Sequence, residues 1–159
     1  MRIGVVSDTH NNLANVRRIV ELFNSARVDR VVHTGDVTQA KTVYVFAALD
    51  APLVGAYGNN DERAALAAAA REVGFEFHEP PLELPWAGRR ILVVHDPLDV
   101  DRHRRDHDVV LHGHDHRRRV ERDGDRLIFN PGECAGHLAG HNAVGIVELE
   151  TLATEILTF

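Results

Sequence analysis

The sequence is short of several things, and each shortage excludes a class of protein. It has one cysteine, Cys134, so no internal disulfide framework, zinc ribbon or iron–sulfur cluster can be built from it. No stretch approaches the roughly 18 consecutive apolar residues of a membrane span, and Met1-Arg2 runs into a short apolar strand without a signal-peptide pattern. The cytoplasm is the expected compartment. Lysine is nearly absent: Lys41 stands alone among 18 basic residues. The net charge of −6 is a poor match for long nucleic acid, which calls for a basic face. No Gly-x-Gly-x-x-Gly turn follows the first strand, which argues against a dinucleotide-binding module. There is no repeat and no Pro/Gly/Ser-rich linker. With 159 residues, 44% of them hydrophobic, a single domain over residues 1–159 is expected.

Histidine is the surplus, at 11 residues. It is the commonest metal ligand and general acid/base, so its placement carries information. Arg2–Ser7 reads as a strand, and Leu13, Val16, Val20 and Phe23 recur at helical spacing after Asn11 or Asn12 as N-cap. Strands at Asp29–Thr34 and Pro52–Ala56 alternate with helices at Lys41–Leu49 and Glu62–Val73. From Phe75 onward the chain reads as short strands: Phe75–Phe77, Leu82–Leu84, Arg90–Val94, Val109–Leu111, Val120–Arg122, Arg126–Phe129, Ala143–Glu148 and Ala153–Leu157. This pattern predicts an α/β protein with two packed sheets of mixed strand direction and helices outside.

Five of the apolar runs end in the same kind of chemistry. The tips carry Asp8-Thr9-His10, Gly35-Asp36, Gly58-Asn59-Asn60-Asp61, His95-Asp96, and His112-Gly113-His114-Asp115-His116. A lone Asp after a strand is usually a helix cap, a lone His is usually solvated, and Gly-Asn-Asn-Asp is an ordinary turn signal. Five such tips drawn only from carboxylate, carboxamide and imidazole point instead to one ligand site beyond the strand ends. Asp8, His10, Asp36, Asn59, His95, His114 and His116 make seven metal ligands, too many for one tetrahedral ion and suited to two ions sharing a carboxylate. With no thiolate, the set suits Mn²⁺ first, and also Ni²⁺, Fe, Zn²⁺ or Co²⁺.

These blocks, in this order, resemble the calcineurin-like metallophosphoesterase superfamily: D-x-H, G-D, G-N-x-[DE], a lone His after a strand, and G-H-x-H. The opening Ser7-Asp8-Thr9-His10 and Asn130-Pro131-Gly132-Glu133 resemble its small prokaryotic phosphodiesterases, the YfcE/MJ0936-like group. The resemblance implies a four-layer α-β-β-α sandwich. It implies that Asp8, His10, Asp36 and His116 hold one ion and that Asp36, Asn59, His95 and His114 hold the other. It implies hydrolysis of a small phosphodiester by a metal-bridging hydroxide, with Asp8, His10, Asp36, Asn59 and His95 as the catalytic set, and a homodimer. The alternative is a non-catalytic protein-interaction scaffold of the same fold, like the retromer subunit Vps29, whose metal set is incomplete; here all seven positions are filled.

Three departures stand out. Asn60 takes the place of the histidine that many members use to protonate the leaving group, which favours esters with good leaving groups. Asp96 replaces the usual glycine after His95. The stretch from Asp96 to His107 is short and polar, which suggests an open pocket wall. Asn11, Asn60 and Asp96 are the expected substrate contacts. His33 and His112 are expected to pack or to support ligands, Arg102, His103, Arg104 and Arg105 either to contact phosphate or to form a solvated charged loop, and Arg117–Arg119 to be a solvated face. His137 and His141 are marginal pocket candidates, and Cys134 is expected to be a small buried residue rather than a nucleophile.

Overall fold

Alternate residues along each strand point to opposite faces, and the burial pattern of this chain uses both. The computed structural model describes residues 1–159. In chain order its elements begin with β1 (Arg2–Val6), α1 (Leu13–Ala26), β2 (Arg30–His33), α2 (Ala40–Phe46), β3 (Leu53–Ala56), α3 (Arg63–Val73) and β4 (Glu76–His78). There follow β5 (Leu82–Trp86), β6 (Arg89–Val93), a 3₁₀ turn (Pro97–Asp99), α4 (Val100–His103), β7 (Val109–Leu111), β8 (Arg119–Asp123), β9 (Arg126–Asn130), β10 (Ala143–Glu148) and β11 (Ala153–Thr158).

The strands form two mixed sheets. One is six-stranded in the order β11-β10-β1-β2-β3-β4, and the other is five-stranded in the order β5-β6-β7-β9-β8. β1 to β4 run parallel, with β10 antiparallel on the far side of β1. β6, β7 and β9 are parallel, with β5 and β8 antiparallel at the edges. Ile3, Val5 and Val32 of the first sheet meet Ile91, Val93, Val109, Leu111 and Phe129 of the second in the central layer. Val6, Val31 and Leu53 point the other way, into a cluster with Val16, Phe23, Val43 and Leu66 of the three helices.

The expected sandwich is therefore present, with unequal outer layers. The outer face of the second sheet contributes Leu92, Val94, Val110 and Ile128, and Val100 of α4 covers them. The polar stretch Asp96–His107, expected as an open loop, is what forms this cover. The apolar side chain of Val100 anchors it, while Arg102 and Arg104 pair with Asp99, Asp101 and Asp123 in solvent.

Parallel order sends β1, β2 and β3 out at one edge of the first sheet, and β6 and β7 out at the same side of the second. Cross-strand bonds tie these exits together: Asp8 N donates to Gly35 O (3.0 Å), His10 N to Asp36 O (3.0 Å) and Gly113 N to His95 O (3.0 Å). The five polar tips are thus neighbours.

Phe129 of β9 is fully buried and lies so close over Gly145 of β10 that a Cβ there would come within 2.2 Å of its ring. Phe129→Ala should cost about 3–5 kcal/mol of unfolding free energy in urea titration. A loss below about 1 kcal/mol would mean that the two sheets are not held by this contact.

Candidate functional site

At the tips, the backbone is bent in a way most residues resist. Asp8, His10, Asp36, His114 and His116 all have positive φ, between 41° and 72°. Asp, Asn and His tolerate the left-handed region better than other non-glycine residues, and strained positions cluster where function over-determines them. The neighbouring glycines serve mostly for close approach. A Cβ on Gly113 would fall 1.8 Å from Ser7 Oγ and 2.7 Å from Asp8 Oδ2.

The side chains form two groups, each with its ligand atoms within 4.8 Å of one another: Asp8, His10 and His116, and Asp36, His95 and His114. Asn59 joins the second, its Oδ1 3.1 Å from both His95 Nε2 and His114 Nδ1. Asp36 stands between them, its Oδ2 3.4 Å from His95 Nε2 and 3.5 Å from His10 Nε2. All seven residues singled out by spacing are therefore in one place.

Electron-rich atoms face each other across this site. His95 Nδ1–H donates to Thr34 O (3.0 Å), which turns the Nε2 lone pair toward Asn59 Oδ1, His114 Nδ1 at 3.3 Å and Asp36 Oδ2. His116 Nδ1–H donates to Glu133 Oε2 (2.9 Å), which turns its Nε2 toward Asp8 Oδ1 at 3.5 Å. Asp8 Oδ1 and His10 Nε2 are buried with no hydrogen-bond partner. Such an arrangement needs protons or cations between its members. Burial pushes the Asp8 and Asp36 pKa values up, but neighbouring imidazoles and hydrogen bonds more than offset this and hold both carboxyls below their usual range. The Asp8 carboxylate raises the pKa of His10; for His95, burial opposes a rise that Asp36 imposes. The carboxylates stay ionised, as metal ligands must, and the oxygen and nitrogen donors fit divalent ions of the Mn²⁺ type.

A second ring of residues fixes this set. Ser7 Oγ–H and His114 N–H (2.9 Å) both donate to Asp8 Oδ2, leaving Oδ1 for the site. Asp61 accepts three backbone N–H groups, from Thr38 (2.6 Å), Gly58 (2.7 Å) and Asp36 (3.1 Å), and so locks the Asp36 and Asn59 loops together. Glu133, fully buried, orients His116 and also accepts Leu138 N–H at 2.6 Å. Neither residue was assigned a role from the sequence. The signal was available in Gly58-Asn59-Asn60-Asp61 and Asn130-Pro131-Gly132-Glu133, whose last acidic residue is the one used.

His33 behaves as a supporting residue. Its Nδ1 accepts Gly35 N–H (3.1 Å), Thr9 Oγ1 lies 3.2 Å from Nε2, and burial lowers its pKa to about 3. His112 is buried beside Gly113 and ligates nothing. Burial raises the Cys134 pKa, and its Sγ–H donates to Ala143 O (3.2 Å), so it is no nucleophile. His137 stacks on His116 at 5.4 Å and lies tilted against His10 at 5.5 Å, at the rim, whereas His141 is exposed on the same loop.

The expected substrate contacts are placed differently from one another. Asn11 Oδ1 accepts from Gln39 N (3.1 Å) and Thr42 Oγ1 (3.0 Å), tying it to the start of α2. Asn60 donates from N (2.9 Å) and Nδ2 (2.8 Å) to the Asp36 carboxylate. Both carboxamides are largely committed to the scaffold. Asp96 alone lines open space: a cavity of about 270 Å³ that it shares with Asn59, His95 and His114.

Comparison with known proteins agrees with this geometry. Residues 1–152 match the model of the calcineurin-like phosphoesterase superfamily domain. Phosphodiesterase MJ0936 of Methanocaldococcus jannaschii is 34% identical over 156 residues, covering 94% of each chain. The solved structure of an archaeal phosphodiesterase superposes with a TM-score of 0.91 at 32% identity over the full length of both chains. At 16% identity, Vps29 of Entamoeba histolytica, solved with Zn²⁺, shares the fold with a TM-score of 0.72, over 100% of this chain and 98% of its own.

Asp61→Ala leaves three buried or half-buried N–H donors without an acceptor, at about 1–3 kcal/mol each. Thermal or urea unfolding should register a loss of about 3 kcal/mol or more. A loss within about 0.5 kcal/mol would mean that the loops hold their shape without it.

Proposed function

The chain belongs to the calcineurin-like phosphoesterase superfamily, and on that premise we propose that it is a phosphodiesterase that uses two divalent metal ions to hydrolyse a small phosphodiester. The observation that carries this reading is the meeting of seven oxygen and nitrogen ligands in two adjoining groups with Asp36 between them. Asp8, His10, Asp36 and His116 would hold one ion, and Asp36, Asn59, His95 and His114 the other. Mn²⁺ is the ion we propose for the working enzyme. When bound, such a pair lowers the pKa of water and supplies positive charge to the phosphoryl oxygens.

The chain's own contribution is placement. Thr34 O and Glu133 Oε2 accept the Nδ1 protons of His95 and His116, so each ring presents Nε2 in the right tautomer. Ser7 and His114 N–H fix Asp8, and Asn60 fixes Asp36. No imidazole follows Asn59, and the Asn60 amide is held on Asp36, so the position that many superfamily members use to protonate a departing alkoxide carries no proton donor of that kind. This favours diesters whose alcohol leaves readily. Against the scaffold alternative stand the seven filled ligand positions. The proposed setting is the cytoplasm; no helix is long and apolar enough to cross a membrane, and the lone thiol is buried.

Two measurements bear on this. Protein stripped and reloaded with Mn²⁺ should bind two ions per chain and hydrolyse bis-p-nitrophenyl phosphate, whereas Asp36→Asn should bind fewer and lose at least about a hundredfold in rate. Unchanged turnover in Asp36→Asn would refute the shared-ligand mechanism. Asn60→His should raise the rate on diesters with poor leaving groups by about tenfold or more relative to bis-p-nitrophenyl phosphate. An equal effect on both substrates would refute the missing-acid explanation.

A further inference from the structure

The cavity beside the second ligand group has walls of unlike charge. On one side Arg63, the first residue of α3, lays its guanidinium over the Tyr57 ring, 5.4 Å from the centroid. Its Nε donates to Glu79 Oε1 at 2.7 Å in an ion pair between two exposed side chains. Nη1 reaches Asp61 O at 3.5 Å, and Nη2 has no protein partner. On the other side stand Asp96 and Asp99. Asp99 is paired with Arg102 at 3.0 Å. Asp96 Oδ1 caps the 3₁₀ turn by accepting Leu98 N–H at 2.8 Å, and Asp96 pairs with no basic side chain.

The remaining space is about 270 Å³, below the 300–1,000 Å³ usual for drug-sized ligands, and it opens on Asn59, His95 and His114. A phosphorus atom held at the ligand groups would have one ester arm in this cleft. Among the charged walls Arg63 is paired with Glu79 and Asp99 with Arg102, whereas Asp96 has no basic partner, and Arg63 still offers N–H donors.

We propose that the Arg63–Asp96 cleft is the subsite for one alcohol arm of the diester, and that it selects a small hydroxylated arm bearing no second anionic group. Arg63 donates to hydroxyl oxygens, and Asp96 repels a carboxylate or second phosphate. This inference rests on the phosphodiesterase reading of the adjoining ligand site.

The test uses slow symmetric dialkyl phosphates as competitive inhibitors of bis-p-nitrophenyl phosphate hydrolysis by the Mn²⁺-loaded protein. With both arms alike, the outcome does not depend on which arm enters the cleft. Bis(2-carboxyethyl) phosphate, despite its greater negative charge, should inhibit about tenfold more weakly than bis(2-hydroxyethyl) phosphate. Asp96→Asn should shrink that gap to about threefold or less. Arg63→Ala should raise the inhibition constant of the hydroxyethyl compound by about tenfold, with Arg63→Lys in between. Thermal melts of each variant establish that it is folded, and if Arg63→Ala is not, Asp96→Asn and Arg63→Lys still decide. Equal inhibition by the two compounds in the wild type, or an Asp96→Asn variant with an undiminished gap, overturns the cleft assignment. Absence of hydrolysis by the loaded wild type overturns the phosphodiesterase reading itself, and the subsite with it.

Discussion

A carboxylate taken out of water costs several kcal/mol unless it is paired and hydrogen-bonded, and this chain buries Asp8 and Asp36 almost completely at the seam between its two sheets. Their compensation explains much of what surrounds them. His10 from the tip that carries Asp8, and imidazoles from two further strand tips, converge on them, and backbone and side-chain donors fill the oxygens that face inward. What stays uncompensated, Asp8 Oδ1 and the lone pairs around His95, faces the site. The protein thereby gathers a set of lone pairs that calls for protons or cations between its members. Binding of cations is the natural completion, and it would return stability to the fold through linkage.

The elements and the ligand tips were legible in the sequence because each depends on local pattern. The helical recurrence of Leu13, Val16, Val20 and Phe23 gave α1 with Asn12 as its N-cap, and alternating β-branched runs gave the strands. Convergence of the tips was expected from their shared chemistry at strand ends, and the parallel pairing of β1 with β2, β2 with β3 and β6 with β7 produces it. What was not legible depends on the far side of the molecule. Glu133 is a ligand-orienting group only because β9 delivers it against His116, and Asp61 an anchor only because its loop closes on Thr38 and Asp36. The motifs that end in these two acids mark them, but which groups each one holds is set by the partners that the fold brings up.

Two sequence readings shifted for physical reasons. Asn11 and Asn60 sit beside ligands and so invited a role at the substrate, yet their carboxamides serve backbone and carboxylate partners that were within reach first. At Gly113 it is the missing Cβ that matters, because Ser7 and Asp8 occupy that volume. Sharp bends fall on Asp8, His10, Asp36, His114 and His116, where strain and ligand chemistry coincide. Arg63 gave no signal at all: an arginine beginning an alanine-rich helix acquires meaning only from the cavity it borders.

The pairing of β1 with both β2 and β10 bears on how the molecule comes into being. β1 carries Asp8 at its end, yet its antiparallel neighbour β10 spans Ala143–Glu148, far along the chain. Asp8 likewise meets His114, His116 and, through the latter, Glu133 across long stretches of sequence. Long-range pairings of this kind close late and slowly. Asp8, His10 and Asp36 thus come from the first third of the described residues and the other imidazoles that face them from beyond residue 90, so the two-group cluster cannot form from the segment β1–β3 by itself.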